Sequence, residues 1–201
     1  MKRTVTGMTV AAAMYASSAF SGLSCDVIGE RNCNPTWSTY DGYPDCTNCN
    51  LNGVDLSDTN LKGVILTGAN LEYADLGGAN LEEASIAFTN LRGANLRGAN
   101  LENADLENAD LRHVDLSNTN LKGAILTGAN LKAALMRQAN LKNADLENAD
   151  LRHVDLSNTN LKGAILTGAN LENADLGGAS LRGAILCNTT MPDGSVIYSG
   201  C

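Results

Sequence analysis

From Leu51 onward a large apolar residue stands at every fifth position, and the spacing holds to Met191 without an insertion. Of these 29 centres 26 are Leu, the exceptions being Ile86, Met136 and Met191, so one recurring environment receives them all. Two places before each centre stands a small residue, Ala nineteen times and otherwise Val, Thr or Cys. Between the two, 21 of 29 positions are Asp or Asn, and Gly recurs two places after the centre, as in Lys122-Gly123. A period of five suits neither regular element. On an α-helix successive centres drift by about 140° and never form a stripe. On an extended strand alternate centres fall on opposite faces. The spacing instead predicts a chain that turns a corner every five residues, with the centre and the small residue both pointing inward. Corners near a right angle close a square coil of twenty residues.

The long repeats carry the same number. Asn103 to Leu131 is identical to Asn143 to Leu171, forty residues on, and Asp55 to Asn70 is a looser copy sixty residues before Asp115. Both offsets are multiples of twenty, so the copies read as duplicated length. Each slot has a physical reason. The centre fills the coil, and each Leu buried there contributes about 1.5 to 3 kcal/mol. The small slot leaves room in a narrow square, with Val54, Val64, Val114 and Val154 near the size limit. Asp and Asn beside the corner bond to nearby backbone N–H groups. Gly after the centre tolerates turn conformations closed to other residues.

The unit A(D/N)Lxx, as in Ala69-Asn70-Leu71-Glu72-Tyr73 or Ala104-Asp105-Leu106-Glu107-Asn108, resembles the pentapeptide-repeat family. The resemblance covers Cys49 to about Met191. It implies an all-β fold, a right-handed quadrilateral β-helix of about seven coils. It also implies one known activity, since some members imitate duplex DNA and bind bacterial DNA gyrase. That is the alternative reading here, for a cytosolic chain. Against it stand a row of cations on the surface, the lack of a C-terminal helix pattern and an export-like N-terminus.

Composition bounds the rest. Aromatics are only 4%, so the interior is not built on rings. A net charge of −8 opposes binding to nucleic acid. Residues 1–21 read as a signal peptide: Lys2 and Arg3, a charge-free Ala-rich stretch, then small residues at Ser17-Ser18-Ala19 or Ala19-Phe20-Ser21. No other apolar run reaches the roughly twenty residues of a membrane span, so no membrane contact is expected of the mature form. The expected location is the periplasm, the exterior or a thylakoid lumen.

Residues 22–48 hold the only Trp and read as an N-terminal cysteine-rich cap, residues 49–191 as the repeat solenoid, and residues 192–201 as a C-terminal cap tail. All six cysteines, Cys25, Cys33, Cys46, Cys49, Cys187 and Cys201, stand at the two ends, which suits disulfide-pinned ends in an exported chain. Cys187 and Cys201 are expected to pair across the Pro192-Asp193-Gly194 turn. The pairing among the other four stays open. Zinc is disfavoured because only Cys46-x-x-Cys49 has the short spacing, and that CxxC lacks the strand and helix setting of a redox site.

Twenty residues per coil align surface positions into ladders. An Asp face carries Asp55, Asp75, Asn95, Asp115, Leu135, Asp155 and Asp175; an Asn face carries Asn60 to Asn160 in steps of twenty, then Ser180. An Ile face carries Ile65, Ser85, Asp105, Ile125, Asp145, Ile165 and Ile185; an Arg face carries Arg92, Arg112, Lys132 and Arg152 between Glu72 and Glu172. Carboxylates diverging from a flat face do not assemble the six to eight oxygens of a Ca²⁺ site. His113 and His153 are two coils apart, too far to share a metal. Thr67, Thr127 and Thr167 suggest an ordered ice-binding array, but Ala87, Glu107 and Glu147 break it. No catalytic triad, paired acid or phosphate loop emerges, so no enzyme activity and no cofactor are expected. Ile65, Ile125, Ile165 and Ile185, with Leu135 nearby, replace the usual Asp or Asn and form a candidate stripe for an unknown protein partner.

Overall fold

The computed structural model describes residues 45–198 and 201. The expected signal peptide, most of the N-terminal cap, Cys25 and Cys33 lie outside the described residues.

Each five-residue unit is one tight turn and one bridging residue. The small residue's N–H returns to the carbonyl of the preceding centre, as from Ala74 to Leu71 (3.0 Å) and from Ala104 to Leu101 (3.1 Å). The third residue of every such turn, from Asn48 to Asn188 in steps of five, has φ between 53° and 73°. A positive φ confined to that position is the signature of a type II turn. Gly fills many of these corners; Asn, which tolerates the left-handed region better than most residues, fills many others. The bridging residue pairs in parallel with its counterpart twenty residues on, in an unbroken series from Asp45↔Ile65 to Asn170↔Thr190. The period of five therefore builds a square coil, as the spacing predicts.

In a stacked unit whose bridging slot is Asp or Asn all five N–H groups find acceptors, and Ala69 to Tyr73 shows how. Ala69 donates to Leu66 (2.9 Å), Asn70 to Cys49 in the coil below (2.8 Å), Leu71 to Asn90 in the coil above (2.7 Å) and Tyr73 to Arg92 above (3.0 Å). The fifth donor, Glu72, has no backbone acceptor and bonds instead to Asn70 Oδ1 (3.2 Å). Thus the Asp or Asn slot exists to complete the backbone, because an amide left without a partner is destabilising.

The interior is a column of Leu and Ala, buried from Leu56 to Leu171. Thr replaces Ala at five inward positions without stranding a hydroxyl: Thr89 donates to Leu66 O (2.9 Å), Thr119 to Leu96 O (3.0 Å) and Thr159 to Met136 O (2.8 Å). At the C-terminal end no coil stacks on Leu176, Leu181 and Leu186, which are only partly buried. There the chain turns back on itself, strand β1 (Thr189–Thr190) pairing antiparallel with β2 (Val196–Ile197). Asp193 holds the turn by accepting from the Ser195 N–H (2.9 Å) and hydroxyl (2.6 Å). The structure pairs Cys187 with Cys201, their Cα atoms 5.0 Å apart.

Candidate functional site

The flat faces convert the sequence ladders into physical ones. On the Asn face each carboxamide donates to the one below, as from Asn120 to Asn100 (2.9 Å), Asn140 to Asn120 (3.2 Å) and Asn160 to Asn140 (2.9 Å). Each Oδ1 also accepts the N–H two residues on, so the ladder is consumed by the fold. Beside it runs a feature that is missed when only the bridging slot is read. Lys122, Lys142, Lys162 and Arg182 form a cation row, in which Lys122 is tied to Glu102 (2.7 Å). Lys122 and the Asn120 amide hold the Glu102 carboxyl below the usual range.

On the Arg face the row is partly neutralised. Arg112 turns back on Asp110 through Nε (2.8 Å) and Nη2, and Arg152 does the same on Asp150 (2.8 Å). Both carboxyls are held low, first by these guanidinium hydrogen bonds. On the Asp face Arg137 pairs with Asp155, whose acidity is raised by the bonds from Ser157 and Arg137 against the opposing effect of burial. Leu135 bridges Asp115 and Asp155, so it belongs to the Asp face and not beside the isoleucines. Sequence order alone brings Leu135 near Ile125; the square coil carries it two corners round, to the opposite face.

The Ile face is unlike the others. Ile65↔Ser85, Asp105↔Ile125, Ile125↔Asp145 and Ile165↔Ile185 are bridged neighbours, and Ile125 and Ile185 are 43% and 42% exposed. An isoleucine has no oxygen to offer, so the N–H of Thr67, Thr127, Thr167 and Cys187 lacks the side-chain acceptor that Asp or Asn supplies elsewhere. Each replacement forgoes about 1 kcal/mol. Phe88, at a corner of the same face, is 60% exposed and adopts φ 58°, where a bulky residue is strained.

The remaining candidates do not converge. His113 and His153 occupy exposed corners at φ 60°, two coils apart. Among the described residues no cluster of His, Cys, Asp or Glu is suited to a metal ion. Among them, too, no helix is long and apolar enough to cross a membrane. Cys46 and Cys49 face inward across the first turn. A hydrogen bond with Cys49 lowers the Cys46 pKa against burial and the charge of Asp45.

A square solenoid with side-chain ladders on flat faces defines the class: a repeat scaffold whose chemistry lies on its surfaces. The chain belongs to the pentapeptide-repeat family, whose model of pentapeptide repeats matches in 8 copies over residues 45–82, 89–128, 129–168 and 164–193. HetL, a pentapeptide repeat protein involved in heterocyst differentiation regulation in the cyanobacterium Nostoc sp. PCC 7120, is 36% identical over 76% of this chain and 78% of its own, with a TM-score of 0.47. QnrB1, a plasmid-mediated fluoroquinolone resistance protein, is 19% identical over 78% of this chain and 83% of its own, with a TM-score of 0.65. Rfr23 of Cyanothece 51142 is 31% identical over 70% and 85%, with a TM-score of 0.28. The likeness to QnrB1 implies the right-handed quadrilateral β-helix. No curated protein matches the chain. Pentapeptide-repeat proteins are generally structural or interaction proteins.

Proposed function

We propose that this chain is an exported, non-enzymatic rod of about seven coils that serves as a structural or protein-interaction element. The observation that carries the reading is the Ile face. There the fold gives up a backbone-completing side chain at Ile65, Ile125, Ile165 and Ile185 and presents branched apolar groups outward instead. Export is supported by Lys2 and Arg3 ahead of an Ala-rich stretch and by cysteines confined to the two ends.

The alternative, a cytosolic DNA mimic that binds gyrase, requires a surface that is acidic wherever DNA would show phosphate. Here two opposite faces carry cation rows, Arg92 to Arg152 and Lys122 to Arg182. Fractionation with sequencing of the mature N-terminus tests export, and a cytosolic protein still beginning at Met1 overturns it. A photo-crosslinking residue placed in turn on each face, in the intact chain in its own cells, tests the interaction reading; no protein adduct from any face overturns it. Inhibition or protection in a gyrase supercoiling assay would restore the alternative.

A further inference from the structure

The carboxylates of the Ile face say what its partner looks like. Asp105 with Glu107, and Asp145 with Glu147, stand on this face in coils separated by the coil of Ile125. Among the described residues no Lys or Arg occupies any outward position of the face, and none of these four carboxylates enters a salt bridge. Asp105 and Asp145 accept the N–H of Glu107 (3.0 Å) and Glu147 (2.9 Å), which fixes them without neutralising them. Climbing the rod from the level of Asp105, the face therefore reads acid, Ile125, acid, Ile165, Ile185. The Asp face, by contrast, holds Arg97 and Arg137 among its acids, and the Arg and Asn faces carry their own cations.

We infer that the Ile face docks a basic amphipathic α-helix of a protein partner, lying along the rod axis. Coils are about 4.8 Å apart, so the two acidic levels are separated by about 10 Å with an apolar level midway. Seven residues of an α-helix rise about 10.5 Å. Lysines at i and i+7 thus meet the carboxylate pairs, while apolar residues at i+3 or i+4 fall at the height of Ile125, and those at i+10 or i+11 at that of Ile165. An extended strand repeats each face at about 6.8 Å and slips out of step within two coils. An anionic membrane or a nucleic acid is repelled by four uncompensated carboxylates. The cation row of the Asn face borders the other edge, so the helix lies toward Glu107 and Glu147.

This inference rests on the rod being an interaction element and names the chemistry of its partner. The probe is a fluorescent helical peptide of about 18 residues with Lys and Leu at those positions, titrated with the full chain at low and at physiological salt. The charge-reversed Glu/Leu peptide and a scrambled Lys/Leu peptide serve as controls. The Lys/Leu peptide is expected to bind, to weaken with salt, and to outcompete both controls. Asp105→Asn/Glu107→Gln/Asp145→Asn/Glu147→Gln and, separately, Ile125→Asn/Ile165→Asn each weaken it about tenfold or more. Asp75→Asn/Asp175→Asn, on the opposite face, leaves it within about twofold. Ile125→Asn/Ile165→Asn restores the amide acceptor used elsewhere in the coil, so its thermal melt stays level or rises, which separates lost docking from lost fold. Equal binding of the scrambled peptide, or affinity lost only with the Asp-face changes, overturns the proposal. If the peptide fails while a crosslinker on another face captures a protein, this docking site falls and the interaction reading stands.

Discussion

The middle of the rod and its C-terminal end are built from the same five residues, yet they are buried differently. Leu121 is fully enclosed, with coils above and below, whereas Leu181, three coils on, is partly exposed because only one coil touches it. Burial in a solenoid is a property of neighbours more than of sequence, and stability is a sum of coil and interface terms. The largest expected effect separates the two places. Leu121→Asp puts a charge between two coils, where nothing pairs with it, and is expected to unfold several coils at once. Leu181→Asp, with solvent in reach, frays the last coil alone. Hydrogen exchange read by mass spectrometry checks this: protection lost on both sides of residue 121 in the first variant, and only beyond about residue 170 in the second. Equal loss in both would mean that the end is as tightly coupled as the middle. Lys122→Ala, whose side chain lies outside and is tied only to Glu102, changes little.

The end compensates with the hairpin and the Cys187–Cys201 pair, fourteen residues apart. Cys187→Ser/Cys201→Ser is expected to lower stability toward urea by about 3 kcal/mol at most, the chain-entropy value for a loop of this size. The loss should concentrate in the final coil, leaving exchange around Leu121 unchanged. A uniform drop along the rod would contradict the nearest-neighbour account.

How much of this was legible follows from which slots have a single solution. The centre and small slots point into a space of fixed size, so Leu and Ala announce themselves and the square coil follows from their period. The Asp and Asn slot is legible for the same reason, being the one place that can complete the unit's fifth N–H. The corner slot is degenerate, because Gly and Asn both tolerate positive φ, and its meaning appears only in the stack. Asn103, Asn108, Asn143 and Asn148 each lay a carboxamide against the corner glycine of the next coil, at Gly123, Gly128, Gly163 and Gly168. The forty-residue duplication therefore carries more than length: in each copy two asparagine corners of one coil sit under two glycine corners of the next and form a matched pair. A one-coil copy of the Asn103 to Leu121 stretch would set asparagine on asparagine. The docking face was legible in its isoleucines, but its charge pattern emerges only when positions twenty apart are placed side by side. Leu135 shows the converse, since nearness along the chain says nothing about nearness around a square.

Two glycine corners sharpen the account of the middle coils. Gly98 and Gly128 have nearly the same φ, +69° and +67°, but a Cβ on Gly98 would meet nothing within 4 Å, whereas one on Gly128 would lie 2.4 Å from Asn108 Oδ1. Gly98→Ala is expected to lose about 1 kcal/mol, the backbone penalty alone. Gly128→Ala loses more, and its excess disappears when Asn108→Gly is added. Thermal melts of the three variants test this. Equal losses at the two positions would mean that the Asn108 carboxamide swings aside freely and that the two-coil pairing contributes nothing.

The smallest expected effect is set by pH. Asp110 and Asp150, in the middle of the Arg face, are held below the usual carboxyl range chiefly by the guanidinium groups of Arg112 and Arg152. A carboxyl with a lowered folded-state pKa stabilises the fold above its unfolded value of about 3.9, and that contribution fades as pH falls through the lowered folded value. Melting temperature should therefore decline between about pH 5 and about pH 2, and less steeply in Asp110→Asn/Asp150→Asn. Both pairs are partly open to solvent, so salt should shrink the difference between the two proteins. The tail offers the contrast, because Asp193 is held low by Ser195 hydrogen bonds and not by a cation. Removing it should flatten the acid response of the hairpin while leaving the salt dependence of the rod intact. An acid response unchanged by Asp110→Asn/Asp150→Asn would show that the Arg row contributes charge to the surface and no stability to the coils beneath it.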